Sequence, residues 1–432
     1  MVRRIIVNEL RFCTYTHKLV YDEDKLLQRQ LIVLKNKDGV IEKWTDFHKY
    51  ARSGKKTASR SVFSGNDKRC VTVCIFLNYI FFEKYHINKL TDVTASMVKD
   101  FLNDYGLCRL PGDNEDTHRS QNTVNSCINV IMDFLELMIE DNPKTKLKIA
   151  DLYRTENVFS KTKRKYIKRR VPVFEVNFKP QYKKIFRDLP EGAFQIIMNE
   201  IVANHRNVLM LAALGAFAGL RPSECCNVRR ADSALGAGIM FETVDGEVTN
   251  VLIDLTEEKN LRSDLISVGG IKKERVQKVY PAFIEAFMSC YDMYMEYITG
   301  KPYEKEYGAL TNSSTGKAYT YDSYYMEFKK VIKDCIPIML NDSDQKVVNY
   351  GHLLQENNIS PHILRHWFSV KLTLYGEDTA GLMNWRGDKS PESALTYLMD
   401  KSELEKEYEI VSDEIFNYSL WKAEKQHGTD QL

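Results

Sequence analysis

Three stretches far apart in the chain share one local design, a polar residue followed by proline where a helix should begin: Arg221-Pro222-Ser223-Glu224, Ser360-Pro361-His362 and Ser390-Pro391-Glu392. Proline suits the first helical position because the N–H it lacks would be unpaired there. Each such start exposes backbone N–H groups and a partial positive charge, which favours a nearby anion. In the second stretch Ser360 is the expected cap, and His362 and Arg365 share one face of the first turn. A guanidinium offers a rigid fork of donors that matches two phosphate oxygens, and an imidazole adds a donor or handles a proton. A phosphate is therefore the guest these residue types fit. His362 and His366 have helical spacing too, but Ile363-Leu364-Arg365 between them lacks a metalloprotease glutamate and carries a cation, so zinc is not expected.

The elements that must position these residues can be read from apolar spacing and turn chemistry. The run from Val71 to Tyr85 predicts a buried helix, and Thr94 predicts the N-cap of a second helix through Phe101 and Leu102. Val124, Cys127, Ile128, Ile131, Phe134, Leu135 and Met138 keep the three-four spacing of one helical face, ended by Asn142-Pro143. Between Lys161 and Arg170 the chain has Lys161, Lys163, Arg164, Lys165, Lys168, Arg169 and Arg170 with no acid among them. Such a block reads as a solvated linker between lobes, where its cations would neutralise DNA phosphates and release counterions. Beyond it come an apolar helix from His205 to Leu220, then β-like runs at Ile239–Val244, Val251–Leu255 and Lys278–Tyr280, then helices. A hairpin is expected near Gln30–Ile41, where Lys37-Asp38-Gly39 supplies the turn.

Length and composition bound the remaining choices. At 432 residues the chain exceeds the ~250–300 at which one hydrophobic core stops growing, so at least two domains are expected. No stretch approaches the ~20 uninterrupted apolar residues of a membrane span, and the opening residues lack the apolar core of a signal peptide. A cytoplasmic location is the expectation. Nine cysteines without repeated pair spacing predict neither a disulfide framework nor a zinc site. The net charge of +2 announces no nucleic-acid partner by itself, so the local concentration of charge carries that inference.

Taken together, Ala218-Gly219-Leu220-Arg221-Pro222-Ser223-Glu224, Pro361-His362-Ile363-Leu364-Arg365-His366, Gly387-Asp388-Lys389-Ser390-Pro391 and Tyr397 resemble the signature boxes of the tyrosine recombinase (phage integrase) family. The order agrees, and so do the gaps of 23 positions from Arg365 to Asp388 and nine from Asp388 to Tyr397. The resemblance implies a mainly α, two-lobed DNA clamp. Residues 1–60 form an N-terminal extension of unknown role, 61–155 a helical core-binding (SAM-like) domain, and 156–173 the basic interdomain linker. Residues 174–402 form a mixed helical catalytic domain with a small antiparallel β-sheet, and 403–432 a C-terminal helix and tail that could dock on a neighbouring subunit. It also implies double-stranded DNA as partner, a homo-oligomer on DNA (a tetramer when two sites are joined), a nucleoid-associated location, and no cofactor, metal or ATP.

Carried over residue by residue, Arg221 and Arg365 resemble the two arginines that clamp the scissile phosphate, His362 the histidine beside them and Tyr397 the nucleophile. A lysine on a β-hairpin between the boxes is the general acid of the family; counting back from Val279-Tyr280 favours Lys272, with Lys273 a close rival. Glu224 resembles a buried supporting acid. Asp388 departs from the pattern, because the family has a hydrogen-bond-donating His or Trp there and an ionised aspartate only accepts. The expectation is that it turns away, is protonated or pairs with a neighbour such as Lys389, and that Trp385 supplies an indole N–H in its place. Attack by the Tyr397 phenol would give a 3′-phosphotyrosyl link that keeps the phosphoester bond energy for rejoining, with nearby cations favouring the phenolate of a side chain whose ordinary pKa is near ~10. Two readings stand beside this one: a non-catalytic DNA-binding protein of the same fold, and a type IB topoisomerase.

Overall fold

The computed structural model describes residues 10–21, 25–51, 68–114, 117–160, 165–179 and 189–388. The chain divides into two compact units, one comprising Met1–Leu19 and Leu27–Lys184, the other Val20–Leu26 and Ile185–Leu432. Among the described residues no helix is long and apolar enough to cross a membrane.

β1 (Arg11–Tyr21), β2 (Lys25–Lys35) and β3 (Ile41–Trp44) form one sheet in that order, most of it in the first unit. The expected hairpin joins β2 to β3. Asn36 Oδ1 accepts from the N–H groups of Asp38 and Val40 (3.0 Å each), and Gly39 takes φ 78°. Residues 1–60 were expected as an extension, but Phe12, Ile32 and Tyr50 join the same core as the following helices. Those helices are α1 (Lys68–Asn78), which passes into a π-helical turn over Tyr79–Glu83, α2 (Ala95–Gly106) and α3 (Gln121–Asp141). Side-chain hydroxyls cap two of them: Thr94 accepts from the Met97 N–H and Ser120 from the Thr123 N–H. Phe76, Phe101 and Phe134 meet edge-on at the centre.

The segment 156–173, expected as a linker, is largely β structure. β4 (Tyr153–Ser160) pairs antiparallel with β5 (Lys165–Pro172) from Tyr153↔Pro172 to Ser160↔Lys165. Backbone pairing and the β-favouring Tyr166, Ile167 and Val171 hold β5 in place, and the two-stranded ribbon leaves Lys165, Lys168, Arg169 and Arg170 exposed on both of its faces. Arg170 is tied back, donating to Glu136 at 3.2 Å and lying over the Tyr153 ring. Lys161, Lys163 and Arg164 lie outside the described residues. The catalytic domain was expected from 174, but Phe174 and Val176 pack on the first unit's core.

The second unit is mainly helical with one three-stranded sheet. Its helices are α4 (Glu191–Asn204), α5 (Leu209–Phe217), α6 (Pro222–Cys225), α7 (Ile284–Ile298), α8 (Tyr321–Leu340), α9 (Gln345–Glu356), α10 (His362–Leu374) and α11 (Thr379–Arg386). The strands are β6 (Ile239–Val244), β7 (Glu247–Leu255) and β8 (Arg275–Lys278), antiparallel in that order. Helix α5 is apolar on every side and every residue of it is buried, as a helix enclosed by others must be. It packs between α7 and α10, and Gly215 lets the Leu364 side chain of α10 lie against its backbone. All nine cysteines are free thiols; seven are buried, with Cys13 and Cys108 partly exposed.

Candidate active site

The close approach of α5 to α10 brings the first two boxes together. After α5 the chain turns at Gly219 (φ 62°), where a Cβ would collide with the Phe368 ring. That turn aims the Gly219 carbonyl at α10, where it accepts from Arg365 Nη1. Arg221 then caps α6 with Pro222 at the first helical position, as the sequence predicts, and Glu224 Oε2 accepts from the Arg221 N–H at 3.1 Å. The Ser360 side chain, expected to cap α10, makes no capping bond; Pro361 occupies the N-cap, and the Ser360 carbonyl accepts from the Ile363 N–H instead.

Helix α11 delivers the third box. It ends at Gly387 in the left-handed region (φ 60°), with the Gly387 N–H donating to the Asn384 carbonyl and the Asp388 N–H to that of Met383. This closing turn swings Asp388 back into the unit. Its Oδ1 accepts from Arg221 Nη2 at 2.6 Å and from Arg365 Nη2 at 2.9 Å, and its Oδ2 lies 3.2 Å from Arg386 Nε. Of the alternatives expected for Asp388, turning away is excluded and pairing with cations is what the structure shows: it sits between the two arginines. Lys389, offered as its partner, lies outside the described residues. Trp385 is also corrected as a replacement donor, because its indole N–H donates to Glu377 at 3.1 Å.

Glu224 is the second anion of the site and is fully buried. It accepts from Arg221 Nη1 (3.0 Å), from Arg275 Nη1 and Nη2 (3.3 and 3.0 Å) and from the Lys272 N–H (3.3 Å). Burial alone would raise its pKa, but the hydrogen bonds and charges of Arg275 and Arg221 outweigh that and hold it at about 2. Glu224 therefore joins α6, the approach to β8 and the arginine cluster, which makes it a support for the site. Arg365 is 1% exposed; burial first, then Arg221 and Arg386, lowers its pKa to about 9, which leaves it charged at neutral pH. His362 is brought down to about 4 by burial and by Arg365, Arg386 and Arg221. At neutral pH it is therefore a neutral imidazole, able to add a donor but no charge.

Lys272 and Lys273 were expected on a hairpin. Both lie instead at the end of the long connection from β7 to β8, three and two residues respectively before Arg275 opens the strand. The Lys272 backbone is anchored on Glu224 and its side chain is exposed, whereas the Lys273 carbonyl accepts from Arg275 Nη1 at 2.8 Å. Tyr397 lies outside the described residues, as do Ser390-Pro391 and the segment 403–432. Two members of the cluster, Arg275 and Arg386, escaped the sequence reading. Their signal was indirect: a phosphate site that contains Glu224 and Asp388 needs more than two arginines to stay positive. Among the described residues the site holds four guanidiniums and two carboxylates.

No family model matches the chain, and no curated protein does. Among solved structures, the chain is similar to the XerH site-specific recombinase bound to difH substrate (16% identity, 76% of this chain and 74% of that one, TM-score 0.43). It is also similar to the Tn1549 transposon integrase in complex with transposon right end DNA (15% identity, 84% and 97%, TM-score 0.44). A third likeness is to a lambda integrase dimer bound to a COC′ core site (12% identity, 82% and 75%, TM-score 0.40).

Proposed function

We propose that this protein is a site-specific DNA recombinase of the tyrosine type, cutting and rejoining strands through a 3′-phosphotyrosyl intermediate. The observation that carries the reading is the convergence of Arg221 and Arg365, 144 positions apart, on one oxygen of an anion. Two guanidiniums donating to one small oxyanion make a clamp whose geometry suits the nonbridging oxygens of a phosphodiester. Attack on phosphorus concentrates negative charge there, and a cluster with an excess of fixed cations stabilises it without reorganising. Glu224 supports the clamp, His362 offers a neutral donor beside it, and Lys272, with Lys273 as rival, is the candidate general acid for the leaving 5′-oxygen. Tyr397 supplies the nucleophile nine residues beyond Asp388. The lysines and arginines from Lys161 to Arg170 bind the DNA backbone, the two units close on the duplex as a clamp, and four copies assemble when two sites are joined. The reaction as drawn keeps the bond energy in the phosphotyrosine.

The test is a nicked duplex that loses its 5′-hydroxyl strand on cleavage and so traps the covalent intermediate. The parent should shift to a protein–DNA adduct and Tyr397→Phe should not; a parent without adduct on any target it binds defeats the enzymatic reading. Exchange between two duplexes separates a recombinase from a topoisomerase. One observation favours a second reading, a non-catalytic DNA-binding protein: the clamp is already filled by Asp388.

A further inference from the structure

The two carboxylates in the arginine cluster are not equivalent. Glu224 is fully buried, uses both oxygens and ties the start of α6 to the stretch from Lys272 to Arg275. Among the described residues Asp388 pairs only with guanidiniums through its side chain, and it hangs from the left-handed turn at Gly387 after the last described helix. Its pairing is also incomplete. Asp388 Oδ2 and Arg365 Nε are both buried, and among the described residues neither has a hydrogen-bond partner, although Oδ2 lies within ion-pair distance of Arg386. A contact selected only for stability would satisfy both groups, since a buried polar atom without a partner is destabilising. Arg221 and Asp388 retain 15% and 10% side-chain exposure, so an external anion can reach the pair.

We propose that Asp388 is an internal stand-in for phosphate, holding Arg221 and Arg365 in the clamp geometry until a phosphodiester oxygen displaces its carboxylate. This rests on reading the arginine pair as a phosphate clamp. One carboxylate oxygen already occupies a point within hydrogen-bond reach of both guanidiniums, which is where a nonbridging oxygen would sit. Exchange of one singly charged anion for another leaves the surplus of positive charge unchanged and available to the transition state. A protein in the filled form binds stray phosphates weakly, and only a site whose other contacts add binding energy can open it.

The experiment uses the full chain and inorganic phosphate, titrated calorimetrically into parent and Asp388→Asn. The asparagine keeps the shape and removes the competing charge. If the parent is in the filled form about nine-tenths of the time, the variant should bind phosphate about tenfold more tightly. Adding Arg221→Gln to that variant should remove the gain. Should Asp388→Asn melt early in chloride, phosphate must raise its melting temperature by more than it raises that of the parent. Equal or weaker phosphate affinity, or a melting loss that phosphate does not repair, overturns the proposal. The trapping assay is read separately. An adduct formed by the parent together with unchanged phosphate affinity removes the stand-in and leaves the recombinase. Tighter phosphate binding without any adduct leaves the stand-in in a non-catalytic protein.

Discussion

At the level of single residues the arginine cluster makes two measurable demands. Glu224 neutralises Arg221 and Arg275 inside a dry site, so Glu224→Gln leaves buried cations uncompensated and should cost about 3–5 kcal/mol in urea unfolding, more than its shape change explains. His362 governs acid sensitivity. Its pKa is about 4 in the folded chain against an ordinary 6.5, so between these values the unfolded chain binds a proton that the folded chain refuses. Stability therefore falls as pH drops from about 6.5 to 4, by about 3 kcal/mol at most, and is unaffected by this group at higher pH. Comparing parent with His362→Asn over that window isolates the effect. A parent curve parallel to that of the variant would show that His362 is not the group responsible.

Among the elements, the closing turn of α11 and the connection before β8 set the site. Gly387 holds φ 60°, and a Cβ there would collide with the Arg275 guanidinium. Gly387→Ala should lose about 1–2 kcal/mol from the backbone alone, and more because Arg275 must leave Glu224. Repeating the urea measurement in a Glu224→Gln background should show less than the additive loss. In the connection, Glu258 accepts from the Ile271 N–H, and burial, opposed by that bond and reinforced by Glu274, raises its pKa to about 7. The folded chain therefore holds a proton that the unfolded chain has lost between pH 4.5 and 7, and the contribution of Glu258 to stability declines as pH rises through that range, opposing that of His362. Glu258→Gln keeps an acceptor and should flatten that decline. Much of this scale was legible beforehand, because caps and apolar faces are local. Thr94 caps its helix with its own side chain, as expected, and α5 is apolar throughout. The basic run was misread as a linker for the opposite reason. What makes it a strand is backbone pairing with residues 153–160, which charge patterning does not announce. Arg275 and Arg386 escaped likewise, since they reach the site only through tertiary contacts.

For the molecule as a whole, two hydrophobic cores share no residue. Calorimetry should resolve two transitions, and Phe101→Ala, which opens a cavity in the first core at a cost of about 3–5 kcal/mol, should move only one of them. Exposed Lys165, Lys168 and Arg169 offer a second whole-molecule test. If they neutralise phosphates, converting each to glutamine should reduce the slope of log affinity for DNA against log salt by about one. An unchanged slope would mean that β5 does not meet the duplex. The distribution of thiols has a practical consequence. Seven cysteines are shielded, and burial pushes thiols such as Cys74, Cys127 and Cys290 up, away from the reactive thiolate. Maleimide dyes should therefore attach at Cys13 and Cys108, both in the first unit. Replacing those two by serine would give a quiet background into which a single reporter can be introduced in the second unit, beside the arginines.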